Sequence, residues 1–358
     1  MPDSAKALAA ANSGTGDVRV ALDEAALAGW LAANVAGFAG PLTLAQFNGG
    51  QSNPTYRLST PTADYVLRRK PPGPLLKGAH DVLREAKVLS GLWTTPVPVP
   101  QIMAVCEDEA VIGSAFYVMS MVDGRIFWDA AFSDVPMAER AAYYDAMNEV
   151  IAALHSVDYQ AVGLGDYGRP GNYFARQIGR WSKQYIDDEL AGRIPDMDAL
   201  VEWLPTAIPE GDETSIVHGD FRCDNMIFHP TEPRILAVLD WELSTLGHPL
   251  ADFAYHAMMY RMPGDIVAGI GGRDPVALGL PTEAEYIAAY CARTGRTSIA
   301  NWDFYLAFNF FRLAAIFHGI KGRVLRGNAS NAQAQERAEA FPRLAALARE
   351  AMEKCRQG

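Results

Sequence analysis

His218-Gly219-Asp220-Phe221-Arg222-Cys223-Asp224-Asn225, followed by Asp240-Trp241-Glu242 at the end of a short apolar run, decides how this chain is read. An Asp, an Asn five residues on and a second Asp twenty residues on have the spacing of a phosphoryl-transfer loop and its magnesium-binding Asp. A nucleotide triphosphate is densely charged, so its transferring group must be held in line and neutralised by metal while a hydroxyl attacks it. Asp220 is then the base that accepts the hydroxyl proton. Asn225 and Asp240 are hard oxygen ligands for magnesium, which takes a few protein oxygens beside phosphates and water. Glu242 is a further ligand or an anchor behind them. Arg234–Asp240 is an aliphatic, β-branched run after a Pro and reads as a buried strand, as does Thr214–His218. Either short motif alone is an ordinary turn sequence; their combined spacing is what argues for a site.

With these residues quoted, the chain resembles the aminoglycoside phosphotransferase family, whose signature is His-Gly-Asp-x-x-x-x-Asn, a strand, then Asp-[Phe/Trp]-Asp/Glu. The resemblance runs from about residue 25 to about residue 330. Upstream, Phe47–Leu58 looks like the family's nucleotide-covering loop between two strands, with Gly49, Gly50 and Ser52 in it. Asp64–Lys70 looks like the strand bearing the phosphate-gripping cation, and Gly247–Asp252 like the segment that follows the metal Asp. The phrasing is most similar to the branch associated with acyl-CoA dehydrogenases. The resemblance implies an α+β, bilobal protein-kinase-like fold, with an N-terminal antiparallel sheet lobe and a mainly helical C-terminal lobe. It implies ATP and Mg2+ as cofactors and a small-molecule hydroxyl as acceptor.

Matching Tyr65-Val-Leu-Arg68 to the family strand puts Arg68 where many relatives carry Lys, and a planar guanidinium is not equivalent to a point charge. The pattern pairs Arg68 with Glu85 of the helix expected over Ala79–Leu92, although a Glu on a helix is usually exposed. Period-two geometry sets Val66, Arg68 and Lys70 on one strand face and Tyr65, Leu67 and Arg69 on the other. Arg69 and Lys70 are expected to be solvated surface charges. The double glycine is either a plain hairpin turn or a loop whose backbone N–H groups approach phosphates.

Helical spacing runs over Asp23–Val35, and Val97–Val105 and Ser114–Val122 read as further strands of the sheet. Asp123-Gly124 then breaks the pattern. In the kinase-like fold this break is the hinge, where backbone groups near Ser120 and Val122 pair with adenine. From Asp134-Val-Pro136 the period becomes helical. The expected division is a disordered tail over 1–16, a nucleotide-binding lobe over 17–122 and a helical catalytic and substrate lobe over 123–358.

Composition bounds the function. At 358 residues with 49% hydrophobic content the chain can bury a large core. A formal net charge of −11 argues against a nucleic-acid partner, which needs a basic face. Cys106, Cys223, Cys291 and Cys355 lack metal or disulfide spacing and suggest a reducing cytoplasm, with Cys223 a spacer in the loop. The apolar stretch Trp302–Gly319 is broken by Asp303, Asn309, Arg312 and His318, which makes it a buried helix and excludes a membrane span.

The acceptor is the least legible part. Asn309 and Arg312 share one side of that helix, and with Glu242 they are the substrate candidates. For Arg312 a structural ion pair is at least as good a reading. The acyl-CoA dehydrogenase association implies a hydroxyacyl-CoA or similar anionic ester as acceptor, and a functional link to such a dehydrogenase. Aminoglycoside 3'-type phosphorylation and non-catalytic nucleotide binding stay open as alternatives. Gly219 replaces the kinase loop's Arg, and no Asp-Phe-Gly to Ala-Pro-Glu segment follows Asp240, which argues against a phosphorylation-gated protein kinase.

Overall fold

The computed structural model describes residues 14–18, 22–48, 53–71, 81–328 and 332–357. They form two compact units: Met1–Asp129 with Val157–Tyr167 and Arg222–Ser244, and Ala130–Ser156 with Gly168–Phe221 and Thr245–Gly358. The break at Asp129 lies beyond the residue 122 expected from sequence, and two later segments return to the first unit. The chain passes from the second unit to the first between Phe221 and Arg222, inside the His218–Asn225 loop.

The first unit is built on an antiparallel sheet of β1 (Thr15–Gly16), β2 (Thr43–Phe47), β3 (Thr55–Ser59), β4 (Asp64–Arg69), β5 (Ile102–Cys106) and β6 (Phe116–Ser120). Its strand order is β1-β2-β3-β4-β6-β5. Thr15 and Gly16, expected at the end of a disordered tail, pair instead with Phe47 and Gln46. Helix α1 (Glu24–Asn34) starts where sequence placed it, because the Asp23 carboxylate caps it by accepting from the Ala26 N–H at 2.9 Å. Its buried Leu27 and Leu31 join Tyr56, Leu58, Tyr65, Leu67, Phe116 and Val118 in one apolar cluster. The alternation of β4 therefore commits Tyr65 and Leu67 to the α1 side and leaves Arg68 for the other. Helix α2 (Val82–Leu92) is capped by Asp81 and buries Glu85 with Val82, Ala86 and Leu89.

One correction concerns β4. Arg69, expected at the surface, is only 3% exposed, because its strand position points it to the α1 side of the sheet.

A hairpin of Met226–Phe228 and Ile235–Val238 completes the first unit, with Met226 opposite Val238. Arg125 and Phe228 exchange two backbone hydrogen bonds of 2.8 Å against it. Gly124 makes that approach possible: a Cβ there would lie 2.3 Å from the Phe228 carbonyl oxygen.

The second unit is helical: α3 (Arg140–His155), α4 (Tyr173–Asp187), α5 (Pro195–Trp203), α6 (Pro249–Ala257), α7 (Glu283–Thr294), α8 (Trp302–Leu325) and α9 (Ala332–Gln357). Tyr143, Met147, Val150, Ile151 and Leu154 are buried on α3, as their helical spacing predicts. Helix α8 is buried along most of its length and packs on α4, α6 and α9. No described helix is long and apolar enough to cross a membrane. Ser215–Val217 pairs antiparallel with Thr245–Gly247 in this unit. The two short strands expected to bracket the loop are thus real but belong to separate small sheets.

Leu67 is fully buried at the centre of the first unit's cluster. Leu67→Ala is expected to cost about 2–5 kcal/mol and Leu67→Met less than about 1.5 kcal/mol, read from urea unfolding of the first unit's transition.

Candidate active site

In the first unit, one guanidinium gathers three carboxylates. Arg68 Nε lies 2.9 Å from Glu85 Oε2, and Nη2 lies 2.7 Å from Asp240 Oδ1 and 3.9 Å from Glu242 Oε2. Sequence alone paired Arg68 with Glu85; the structure adds the two groups from the segment after the hairpin. Glu85 is held on its remaining sides by Asn53 Nδ2 at 2.7 Å and the Tyr117 hydroxyl at 3.2 Å. Tyr117 stands opposite Arg68 across β4 and β6, so strand register brings its ring to the same face.

With all four groups ionised this cluster carries three negative charges against one positive. Burial raises the pKa of Glu85 to about 7 against the pull of Arg68, and Asp240 and Glu242 add to the rise. Burial also opposes the charge on Arg68, but Glu85, Tyr117 and Asp240 outweigh it and push its pKa up. The cluster is thus short of positive charge.

Asp240 has φ 64° and ψ 59°, a left-handed conformation that is uncommon outside glycine and clusters at functional sites. Asp tolerates it better than most residues. The hairpin explains how Asp240 and Asn225 come together. The Leu239 N–H donates to the Asn225 carbonyl at 2.8 Å, so the two oxygen-bearing residues flank one backbone bond. Among the described residues no cluster of three His, Cys, Asp or Glu is arranged to hold a metal by itself. Cys223 is buried and its thiol pKa is pushed up by that burial, in keeping with a spacer.

In the second unit, Asp220 accepts a short hydrogen bond from the Tyr255 hydroxyl. The loop that carries it is clamped from below by Asp252, whose two oxygens accept from the His218 N–H at 2.7 Å and the Gly219 N–H at 2.8 Å. Gly219 has φ 84°, so a side chain there would strain the bend that presents both N–H groups. Burial pushes Asp252 up, but contact with His155 and the His218 N–H outweighs it and holds the carboxyl below its ordinary range. His155 Nε2 is 3.2 Å from Asp252 Oδ2, and its Nδ1 is 2.7 Å from the Tyr290 hydroxyl. Burial lowers His256 to about 4, so a neutral ring spans the Phe221 carbonyl and the Tyr286 hydroxyl at 3.1 and 2.6 Å.

Two substrate candidates have other roles. Asn309 is fully buried, and its Nδ2 donates to the Ala251 and Tyr305 carbonyls at 2.9 Å each, joining α8 to α6. It has no surface to offer a substrate. Arg312 donates from Nη2 to the Gly219 carbonyl at 3.0 Å and lies 5.3 Å over the Tyr255 ring, so it supports the loop and makes no carboxylate ion pair among the described residues. At the end of β6, the Ser120 N–H donates to the Gln101 carbonyl at 2.8 Å, and Val122 is half-buried just beyond the strand. Gly49, Gly50 and Ser52 lie outside the described residues.

Sequence reasoning missed Asn53, Tyr117, Asp252, Tyr255 and His155 as supports. Asn53 and Asp252 sit inside stretches already singled out, and Tyr255 lies one helical turn after Asp252, which was the available signal.

The phosphotransferase enzyme family matches residues 43–308. The chain is 45% identical over 311 residues to acyl-CoA dehydrogenase family member 10 of Mus musculus, covering 86% of the chain and 29% of that protein. It is 44% identical over 347 residues to acyl-CoA dehydrogenase family member 11 of Gallus gallus, covering 94% and 44%. The chain therefore spans less than half the length of these relatives. A solved structure from Ralstonia eutropha JMP134, provisionally called an aminoglycoside phosphotransferase, is 53% identical with a TM-score of 0.87, over 93% of this chain and 99% of that one. Choline kinase of Cryptosporidium parvum, 11% identical, shares the fold with a TM-score of 0.63 over 93% and 97%.

Two outcomes follow for the support network. Asp252→Asn leaves one acceptor oxygen for two N–H donors and is expected to cost about 1.5–3 kcal/mol in chemical denaturation. A native Glu85 pKa near 7 means the folded state binds the extra proton between about pH 4.5 and about pH 7, so ligand-free stability falls as pH rises through that window. Glu85→Gln is expected to flatten that decline in a pH series of thermal unfolding.

Proposed function

Because the chain belongs to the phosphotransferase enzyme family, we propose that it moves the γ-phosphoryl group of ATP to a hydroxyl of a small molecule with magnesium. The observation that carries the reading is the Arg68 cluster, in which three carboxylates share one guanidinium and one of them, Asp240, has left-handed backbone. Such an excess of negative charge suits a site that is completed by cations.

Asp220 accepts the proton of the attacking hydroxyl, and Tyr255 keeps its carboxylate aimed. Asn225 and Asp240 would hold magnesium, with Glu242 as a further ligand or anchor, and the metal would supply neutralisation of the phosphate oxygens. Arg68, kept in place by Glu85, orients phosphate through its planar fork. Backbone groups near Ser120 and Val122 would take the adenine edge, and Gly49, Gly50 and Ser52, which lie outside the described residues, belong to the same nucleotide-binding proposal.

For the acceptor we propose a hydroxyacyl-CoA or similar anionic ester. Its support is the 43–45% identity to proteins named acyl-CoA dehydrogenases of mouse, chicken and Arabidopsis thaliana, of which this chain matches only a part. A functional link to such a dehydrogenase belongs to the same proposal, and a cytoplasmic location accords with four unpaired cysteines. An aminoglycoside acceptor is the second reading, motivated by the 53% identical Ralstonia structure.

The test is magnesium-dependent turnover of ATP by wild type and Asp220→Asn against separate pools of hydroxyacyl-CoAs, aminoglycosides, choline and homoserine. The expected result is phosphorylation confined to the hydroxyacyl-CoA pool, with Asp220→Asn lowering it by about 10²–10⁴-fold while still binding nucleotide. Turnover of aminoglycosides alone would move the assignment to the second reading; nucleotide binding without turnover of any pool would reject the proposed acceptor.

A further inference from the structure

Alternation along β4 sends Arg69 to the face opposite Arg68, beside Leu67 and, across β6, Phe116. Its side chain is almost wholly buried, 3% exposed, and Nε is sealed from solvent without a hydrogen bond. Among the described residues the guanidinium has no ion pair. Its backbone is firmly placed, with the Arg69 N–H donating to the Pro54 carbonyl at 3.0 Å. Ser114, in the bend that leads into β6 two residues before Phe116, is 4% exposed, and its Oγ also has no partner. Tyr56, another member of that face, has its pKa raised by burial and drawn back by the charge of Arg69, so the phenol and the guanidinium are neighbours.

Guanidinium groups stay charged in proteins, and a buried charge without a counter-charge is strongly unfavourable. The chain has little to offer as that counter-charge. The segments flanking β3 and β4 in sequence, Gly49–Ser52 and Pro72–His80, contain no Asp or Glu, and the only acidic side chain outside the described residues is Asp3. The missing charge is best supplied from solution.

We propose that Arg69 and Ser114 form an anion site on the α1 side of the first unit's sheet, distinct from the Arg68 cluster, that takes a compact oxyanion, either a phosphate or a carboxylate group. The fork of Arg69 supplies parallel N–H donors and Ser114 a hydroxyl donor, the pairing that such groups take. Arg69 is the next residue after Arg68 and is bonded to Pro54, itself next to the Asn53 that holds Glu85. A bound oxyanion therefore stiffens the strand end from which the Arg68 cluster is built.

The experiment is thermal unfolding of the full chain in sodium phosphate, sodium acetate and sodium chloride at matched ionic strength, for wild type, Arg68→Met and Arg69→Met. Phosphate or acetate is expected to raise Tm by a few degrees above chloride in wild type and in Arg68→Met, and not in Arg69→Met. Whichever of the two salts gives the larger rise identifies the group. A rise that survives in Arg69→Met, or equal Tm in all three salts for wild type, would overturn the site. Should Arg69→Met fail to fold, Arg69→Lys and Ser114→Ala take its place: a diminished rise supports the site and an undiminished one in both refutes it.

Discussion

One guanidinium shared among Glu85, Asp240 and Glu242 is the constraint on which the first unit's chemistry depends. It joins a sheet strand and the helix after it to the segment that follows the Met226–Val238 hairpin, far away in sequence. The pairs differ in strength. Glu85 is 2% exposed and makes its contact under low dielectric, where an ion pair is strong but desolvation is costly. Asp240 is about a third exposed, so its attraction to Arg68 is screened and easier to exchange for another cation. Arg68 and Glu85 are therefore the more tightly held pair, and Asp240 the more weakly held partner.

The second unit solves a different problem, the presentation of an acid on a rigid loop. A carboxylate that accepts two consecutive backbone N–H groups fixes the loop more tightly than side-chain packing alone, because both bonds are charge-assisted and buried. Asp252 does this for His218 and Gly219, and the chain of His155 and Tyr290 behind it keeps the carboxyl ionised in an apolar setting. Arg312 approaches the same glycine from the other side through its carbonyl. The loop is thereby gripped at adjacent donors and an acceptor, and the Tyr255 hydroxyl on the following helix donates to Asp220.

Much of this was legible in the residues. The loop and the strand that leads to Asp240 followed from spacing and from the aliphatic run before it, and the pairing of Arg68 with Glu85 followed from the family pattern. What was not legible has a common cause. Arg69 and Asn309 were assigned by residue chemistry, yet burial is set by which face of a strand or helix meets a neighbour, and that is a tertiary property. Asp252, Tyr255 and Tyr117 were missed for the same reason: they touch the site through contacts 32 to 35 residues away in sequence, which no local pattern encodes. The return of 157–167 and 222–244 to the first unit was not legible, since segments that return to an earlier unit leave no compositional trace.

The central claim is that the Arg68 cluster is completed by magnesium through Asp240. Calorimetric titration of ATP into wild type and Asp240→Asn, each with and without magnesium, tests it most directly. The account predicts that magnesium tightens nucleotide binding to wild type and that Asp240→Asn loses this dependence while still binding ATP. Equal affinity with and without magnesium in wild type, or an unchanged magnesium effect in Asp240→Asn, would contradict it.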